Sequence, residues 1–169
     1  MSDKKKVVVI DDEPDLCRML KKNLEATGEF EVVTTSDPKQ AESVISQALP
    51  DVVLLDIVMP TLKGTDIVAA LKKNDVLKKI PIIVISGKGE MIYHEKKNEF
   101  KWEPNNPLAK GHGALPDAKS AEALAQAYGV TDYISKPFTN ALLLEVVNDV
   151  IAKARKKKAA ADEGPSIEA

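Results

Sequence analysis

The stretch Val52-Val53-Leu54-Leu55-Asp56-Ile57-Val58-Met59-Pro60 decides how this chain folds: four apolar residues run directly into one carboxylate, and a proline follows four residues later. A continuous apolar run between Pro50 and the segment Pro60-Thr61-Leu62-Lys63-Gly64 suits a strand buried on both faces, as in a parallel sheet. Asp56 then stands at the strand's exit. Ligands of open α/β sheets gather at the carboxyl ends of the strands, so an acid there is placed for chemistry. The same residue also suits a helix cap, and the motif by itself leaves both roles open.

Upstream, Lys6-Val7-Val8-Val9-Ile10 is a β-branched run that ends in Asp11-Asp12-Glu13, so acids close a second strand as well. Pro14 suits a first helical turn, and Leu16, Leu20 and Leu24 share one helical face before Thr27-Gly28 stops the helix. Phe30-Glu31-Val32-Val33-Thr34-Thr35 is a more amphipathic strand and therefore nearer an edge. Ser36-Asp37-Pro38 starts a helix that turns Ala41, Val44, Ile45 and Ala48 inward. Downstream, residues 65–73 form a helix through Ile67, Val68 and Leu71, and Ile80-Pro81-Ile82-Ile83-Val84-Ile85 is a buried strand that delivers Ser86. Strands alternate with helices, which predicts a parallel sheet covered on both faces.

The rhythm breaks between residues 87 and 117. Three prolines (Pro104, Pro107, Pro116) and four glycines (Gly87, Gly89, Gly111, Gly113) interrupt this segment, and it carries no strand signal. It reads as an insertion, with a short helix expected over residues 90–102 and an irregular loop behind it. Order returns with an alanine-rich helix over 120–128 capped by Gly129, and then the strand Asp132-Tyr133-Ile134-Ser135, followed by Lys136-Pro137-Phe138. Thr139 or Asn140 caps a last helix through Leu142, Leu143, Val146, Val147, Val150 and Ile151. Residues 1–158 are expected to form one domain, and 159–169 a flexible tail.

Composition narrows the function classes. With 169 residues there is room for one sizeable core, and 30% charged with 44% hydrophobic residues is the balance of a water-soluble globular chain. A net charge of −2 makes no case for nucleic acid. No segment has the form of a signal peptide or approaches membrane-spanning length, so a cytoplasmic protein without membrane insertion is expected. Cys17 is the single cysteine, which excludes an internal disulfide or a multi-cysteine metal site; one turn from Leu20, it reads as a small core residue.

In a doubly wound sheet the strand ending at Asp56 lies beside the first, so Asp56 faces Asp11 and Asp12 at one rim. Three carboxylates at such range repel one another and call for a cation. An all-oxygen ligand set without cysteine or histidine favours Mg²⁺. Ser86 and Lys136 leave two further strand ends and bring a hydroxyl and a fixed positive charge to the same rim. Phosphoryl transfer to a carboxylate needs this combination: Asp56 attacks, metal and Lys136 neutralise the phosphoryl oxygens, and Ser86 donates a hydrogen bond.

These ordered motifs, Asp11-Asp12, Asp56 with Met59-Pro60 and Gly64, Ser86, and Lys136-Pro137-Phe138, closely resemble the response-regulator receiver domains of two-component signalling, in the stand-alone, chemotaxis-regulator-like form. The resemblance implies a flavodoxin-like five-stranded sheet of order 2-1-3-4-5. It further implies that Asp56 takes phosphate from the phosphohistidine of a sensor histidine kinase or phosphotransfer protein. Mg²⁺ would be held by Asp12, Asp56 and the backbone carbonyl of Val58 directly, and by Asp11 through water. Ser86 and Tyr133 would form the switch: the hydroxyl moves toward the phosphoryl group and the aromatic ring turns inward behind it. The face built from the 120–128 helix, the 132–135 strand and the helix after Thr139 would then bind an unknown downstream protein, with the chain a monomer or a phosphorylation-dependent dimer. Val58 and Lys88 stand at the two positions that tune phosphate lifetime in this family, and an apolar residue with a cation there predicts slow self-dephosphorylation.

The chain departs from the family in the spacing of Ser86 and Lys136, which are 50 positions apart (136 − 86), about twice what one loop, one helix and one strand need. Tyr93, Phe100 and Trp102 in this insertion either anchor a partner or fold back over the neighbouring helix. The 33 residues after Lys136 (169 − 136) allow a helix and a tail, so no output domain is expected. The basic run Lys153-Ala154-Arg155-Lys156-Lys157-Lys158 reads as complementing the helix dipole and aiding solubility. Two competing functions remain. An aspartyl-phosphate phosphatase commonly carries a second aspartate two residues after the nucleophile, where this chain has Val58. A receiver-shaped interaction module that is never phosphorylated would have no use for the acid cluster.

Overall fold

The apolar run around Leu54 becomes β3 (Val52–Asp56), and all five of its residues are buried. A computed structural model describes residues 3–57, 59, 62, 64–86, 90–94, 99–103 and 129–164, with the backbone alone described at 86, 90–94, 99–103 and 135. β3 sits at the centre of a sheet completed by β1 (Lys5–Ile10), β2 (Phe30–Thr35), β4 (Ile82–Ser86) and β7 (Asp132–Ser135). The strands lie side by side as β2-β1-β3-β4-β7, every neighbouring pair parallel. Counted without β5 (Glu90–His94) and β6 (Glu99–Glu103), which form a sheet of their own, this is the expected order 2-1-3-4-5.

Alternation explains why the central strands carry no polar residue before their ends. Val8, Ile10, Val53, Leu55, Ile82 and Val84 face one layer, where α2 (Ala41–Ala48) contributes Ala41 and Ile45, and α3 (Gly64–Lys73) contributes Ile67, Val68 and Leu71. Val7, Val9, Val52, Leu54, Ile83 and Ile85 face the other, against Leu20 and Leu24 of α1 (Pro14–Glu25) and Leu143, Val147 and Val150 of α4 (Asn140–Asp162). Each buried Val, Leu or Ile side chain contributes about 1.5–3 kcal/mol relative to exposure, so a strand with two covered faces gains from both sets of positions. Among the described residues, no helix is long and apolar enough to cross a membrane.

Local chemistry sets the helix boundaries. α1 starts on Pro14, whose missing N–H is not needed in a first turn. α4 starts after Thr139, whose side chain accepts from the Leu142 amide at 3.1 Å. Asp37 likewise accepts from the Lys39 amide, capping a short 3₁₀ turn ahead of α2. α4 runs on to Asp162, past residue 159 where the tail was expected to begin.

The expected helix over 90–102 is not formed. In its place are β5 (Glu90–His94) and β6 (Glu99–Glu103), an antiparallel pair that aligns Met91 with Trp102, Ile92 with Lys101 and Tyr93 with Phe100. β-Branched and aromatic residues favour this extended form over a helix. The remainder of the insertion and the expected 120–128 helix lie outside the described residues.

Candidate functional site

Parallel pairing brings the strand ends to one rim. Leu55 of β3 is in register with Ile10 of β1, and Asp56 with Ile85 of β4, so Asp11 and Asp12 follow β1 at the level where β3 ends. One carboxylate oxygen from each of Asp11, Asp12 and Asp56 lies within 4.8 Å of the other two. Asp11 is 2% and Asp56 4% exposed, the two buried charged residues among those described. Asp56 closes β3 eight residues ahead of the start of α3 (64 − 56), which rules out a cap for that helix.

Lys136 reaches the acids from the residue after β7. Its Nζ donates to Asp11 Oδ2 at 2.9 Å and lies 3.8 Å from Asp56 Oδ2, with 18% of the side chain exposed. Burial works to lower the pKa of this ammonium. The hydrogen bond to Asp11 and the charges of Asp56 and Asp11 outweigh it, and the pKa is raised above the ordinary lysine value of 10.5. Formally, three carboxylates and one ammonium leave −2 (−3 + 1) in a pocket whose ligand atoms, among the described residues, are carboxylate oxygens. A hard divalent cation satisfies both the charge and the donor type, so the residues present fit one.

Further contacts hold the acids in place, and the sequence patterns did not reveal them. The Glu13 amide donates to Asp11 Oδ1 at 2.9 Å. Cys17, a buried residue of α1, directs Sγ to the Asp11 carbonyl oxygen at 3.3 Å and toward that of Thr35 at 3.8 Å. Burial first, and then the negative charge of Asp11, push this thiol up to about 11. Cys17 therefore fills the core as expected and also braces the β1 exit. Its place on the inner face of α1, six residues after Asp11, is the one signal that could have pointed there.

Ser86, the expected hydroxyl donor, is the last residue of β4, beside Ser135 of β7. Tyr133, in register with Val84, is 4% exposed and belongs to the same core layer as Ile57 and Met59. Tyr93 of β5 is paired with Phe100 of β6, and Trp102 of β6 with Met91 of β5. Val58 and Lys88 lie outside the described residues.

Comparison with known proteins points in the same direction as the geometry. The phosphate regulon transcriptional regulatory protein PhoB of Rhizobium meliloti is 27% identical over 150 residues, which cover 89% of this chain and 53% of that protein. The chain spans about half the length, or less, of the curated relatives it matches. A response regulator receiver domain protein from Clostridium thermocellum superposes with a TM-score of 0.63 at 28% identity, over 92% of this chain and 98% of that one. The chemotaxis protein CheY4 of Vibrio cholerae shares the fold, with a TM-score of 0.63 at 22% identity, over 87% of this chain and 98% of that one. The family model described as response regulator receiver domain matches residues 7–101. Because that match takes in more than half of the 169 residues, the chain belongs to the response regulator receiver domain family of two-component signalling.

Proposed function

We propose that this chain is a phosphoacceptor that takes a phosphoryl group on Asp56 from the phosphohistidine of a sensor histidine kinase or phosphotransfer protein. The observation that carries this reading is Lys136 Nζ lodged against Asp11 and Asp56, beside three carboxylate oxygens gathered within 4.8 Å. A carboxylate oxygen of Asp56 attacks phosphorus, the bond from phosphorus to the imidazole nitrogen breaks, and the imidazole leaves with its electron pair. Lys136 turns its ammonium from Asp11 toward the incoming phosphoryl oxygens, and the burial of Asp56 limits competing water. Asp11, Asp12, Asp56 and the Val58 carbonyl would hold Mg²⁺, which when bound supplies charge neutralisation at the phosphoryl oxygens. The chain acts on itself alone: its chemistry is its own phosphorylation and dephosphorylation.

Output follows by protein contact. Ser86 and Tyr133 are the switch, and the face around β7 and α4, with the hairpin residues Tyr93, Phe100 and Trp102, is the surface that a downstream protein reads. Residues 1–158 act as one receiver domain with 87–117 as its insertion, in the cytoplasm and without membrane insertion.

Incubation with acetyl phosphate and Mg²⁺, followed by intact-mass measurement, tests the reading. A gain of one phosphoryl group that is lost in Asp56→Asn and in EDTA is the expected result. Phosphorylation of Asp56→Asn at the wild-type rate, or wild-type protein that resists acetyl phosphate, beryllofluoride and a panel of kinases, would overturn it.

A further inference from the structure

Gly64 is the first residue of α3 and is buried. A Cβ built on it would stand 2.5 Å from the Asp56 carbonyl oxygen, 2.7 Å from Ile57 Cα and 3.2 Å from the Asp56 carbonyl carbon. All three are backbone atoms, so no side-chain rotation can make room. The Gly64 amide meanwhile donates to the Ile57 carbonyl at 3.1 Å. The first turn of α3 thus rests directly on the two residues at the exit of β3.

We infer that Gly64 is a positioning residue for Asp56: the close approach that only glycine allows sets where the Asp56 carboxylate stands relative to Asp11, Asp12 and Lys136. This rests on the phosphoacceptor reading above and names a residue that controls that site. Any side chain at position 64 forces a separation of at least 0.5 Å (3.0 − 2.5) between helix and strand exit. β3 is paired to β1 as far as Leu55 and to β4 as far as Asp56, so the strand body resists moving and the displacement falls on its exit, where Asp56 is held on the β4 side alone, and on the loop behind it. The carboxylate sits at that point. Magnesium accepts ligand distances only near ~2.0–2.1 Å, and a ~1 Å misplacement of reacting groups can cost about 10²-fold in rate. A half-ångström shift at Asp56 is therefore large on the scale of the chemistry.

Gly28 supplies the comparison. It has φ of +78°, and a methyl group added there would meet nothing within 4 Å, so Gly28→Ala strains the backbone but displaces no neighbour. It lies in the α1–β2 turn, at the opposite end of the sheet from Asp56. Gly64→Ala and Gly28→Ala both lower stability, and only the former moves Asp56.

The test measures Mg²⁺ affinity by titration calorimetry and the acetyl phosphate phosphorylation rate in wild type, Gly64→Ala and Gly28→Ala, with the folded fraction of each followed by circular dichroism. Gly64→Ala should weaken Mg²⁺ binding about tenfold and slow phosphorylation by about 10- to 100-fold per folded molecule, while Gly28→Ala matches wild type in both. If Gly64→Ala is not folded in buffer, the same measurements are made with its fold restored by trimethylamine N-oxide. A folded Gly64→Ala that binds Mg²⁺ and takes phosphate like wild type would overturn the inference, as would an equal loss in Gly28→Ala. Failure of the phosphoacceptor reading is separate: there, the wild type itself takes no phosphate.

Discussion

Arg155 of α4 donates from Nε at 3.2 Å and from Nη2 at 3.0 Å to Oδ1 of Asp51, the residue ahead of β3. The other carboxylate oxygen of Asp51 accepts from the Lys6 amide at 2.8 Å, so one aspartate joins the start of two strands to the last helix. The Arg155 side chain is 45% exposed, which leaves its ion pair screened and worth a few tenths of a kcal/mol. The Lys6 amide is partly buried and has more to lose. Asp51→Ala is expected to destabilise by about 1–2 kcal/mol in urea unfolding, and Arg155→Ala by about 0.5 kcal/mol or less. Equal effects of the two variants would show that the amide bond is not the important one.

Leu49 ends α2 in a left-handed conformation, φ 45° and ψ 61°, with 58% of its surface exposed. A residue with a Cβ carries a penalty there and this one recovers little by burial. Leu49→Gly should raise stability by about 0.5–1 kcal/mol, read as a higher urea midpoint at unchanged slope.

Alkaline pH should destabilise the metal-free fold in two stages. The Cys17 thiol is raised from 9.0 to about 11 in the folded chain, so the folded state holds its proton more tightly and stability falls as pH climbs from 9.0 to about 11, by about 3 kcal/mol at most. Lys136 is also raised, from 10.5, so its contribution is complete below 10.5 and disappears as pH rises through the folded value. Cys17→Ala should flatten the first stage and Lys136→Gln the second, in unfolding experiments repeated across pH. A pH profile identical to wild type in Cys17→Ala would contradict the first assignment.

Phosphate should persist once it is attached. Val58 and Lys88 offer no acid or amide to orient water for hydrolysis, so self-dephosphorylation is expected to be slow. Decay of purified phosphoprotein at room temperature measures it, and a lifetime of only seconds would contradict the expectation. Val58→Asn should shorten the lifetime.

The hairpin can be assigned to output or removed from it. Capture of a downstream protein should rise with beryllofluoride for the full chain and fall when residues 89–116 are deleted. Equal capture by both forms would take the insertion out of the readout.

The sheet is legible in the sequence where burial is two-sided. Val7 to Ile10, Val52 to Leu55 and Ile82 to Ile85 have no polar interruption, and only a strand covered on both faces uses such a run. The acid cluster is legible because chain order alone sends the ends of neighbouring parallel strands to one rim. The hairpin is not, for a physical reason. Ile92 stands between Met91 and Tyr93 and blurs the alternation, and Glu95-Lys96-Lys97-Asn98 between the strands contains no glycine to announce a turn. Contacts such as Cys17 Sγ to the Asp11 carbonyl, or Gly64 against the Asp56 backbone, depend on how closely two elements approach, and no periodicity encodes that distance.

β4 ends at Ser86 and β5 begins at Glu90, so the second sheet leaves the chain four residues after the strand that pairs with Asp56. Any coupling through that connection between the hairpin and the acid cluster is reciprocal by thermodynamic necessity. If phosphate on Asp56 changes the hairpin's affinity for a ligand by some factor, the same ligand changes the phosphorylation equilibrium by that factor. A protein gripping the hairpin would then act as an effector as well as a target, shifting how much of the chain is charged at a given kinase activity.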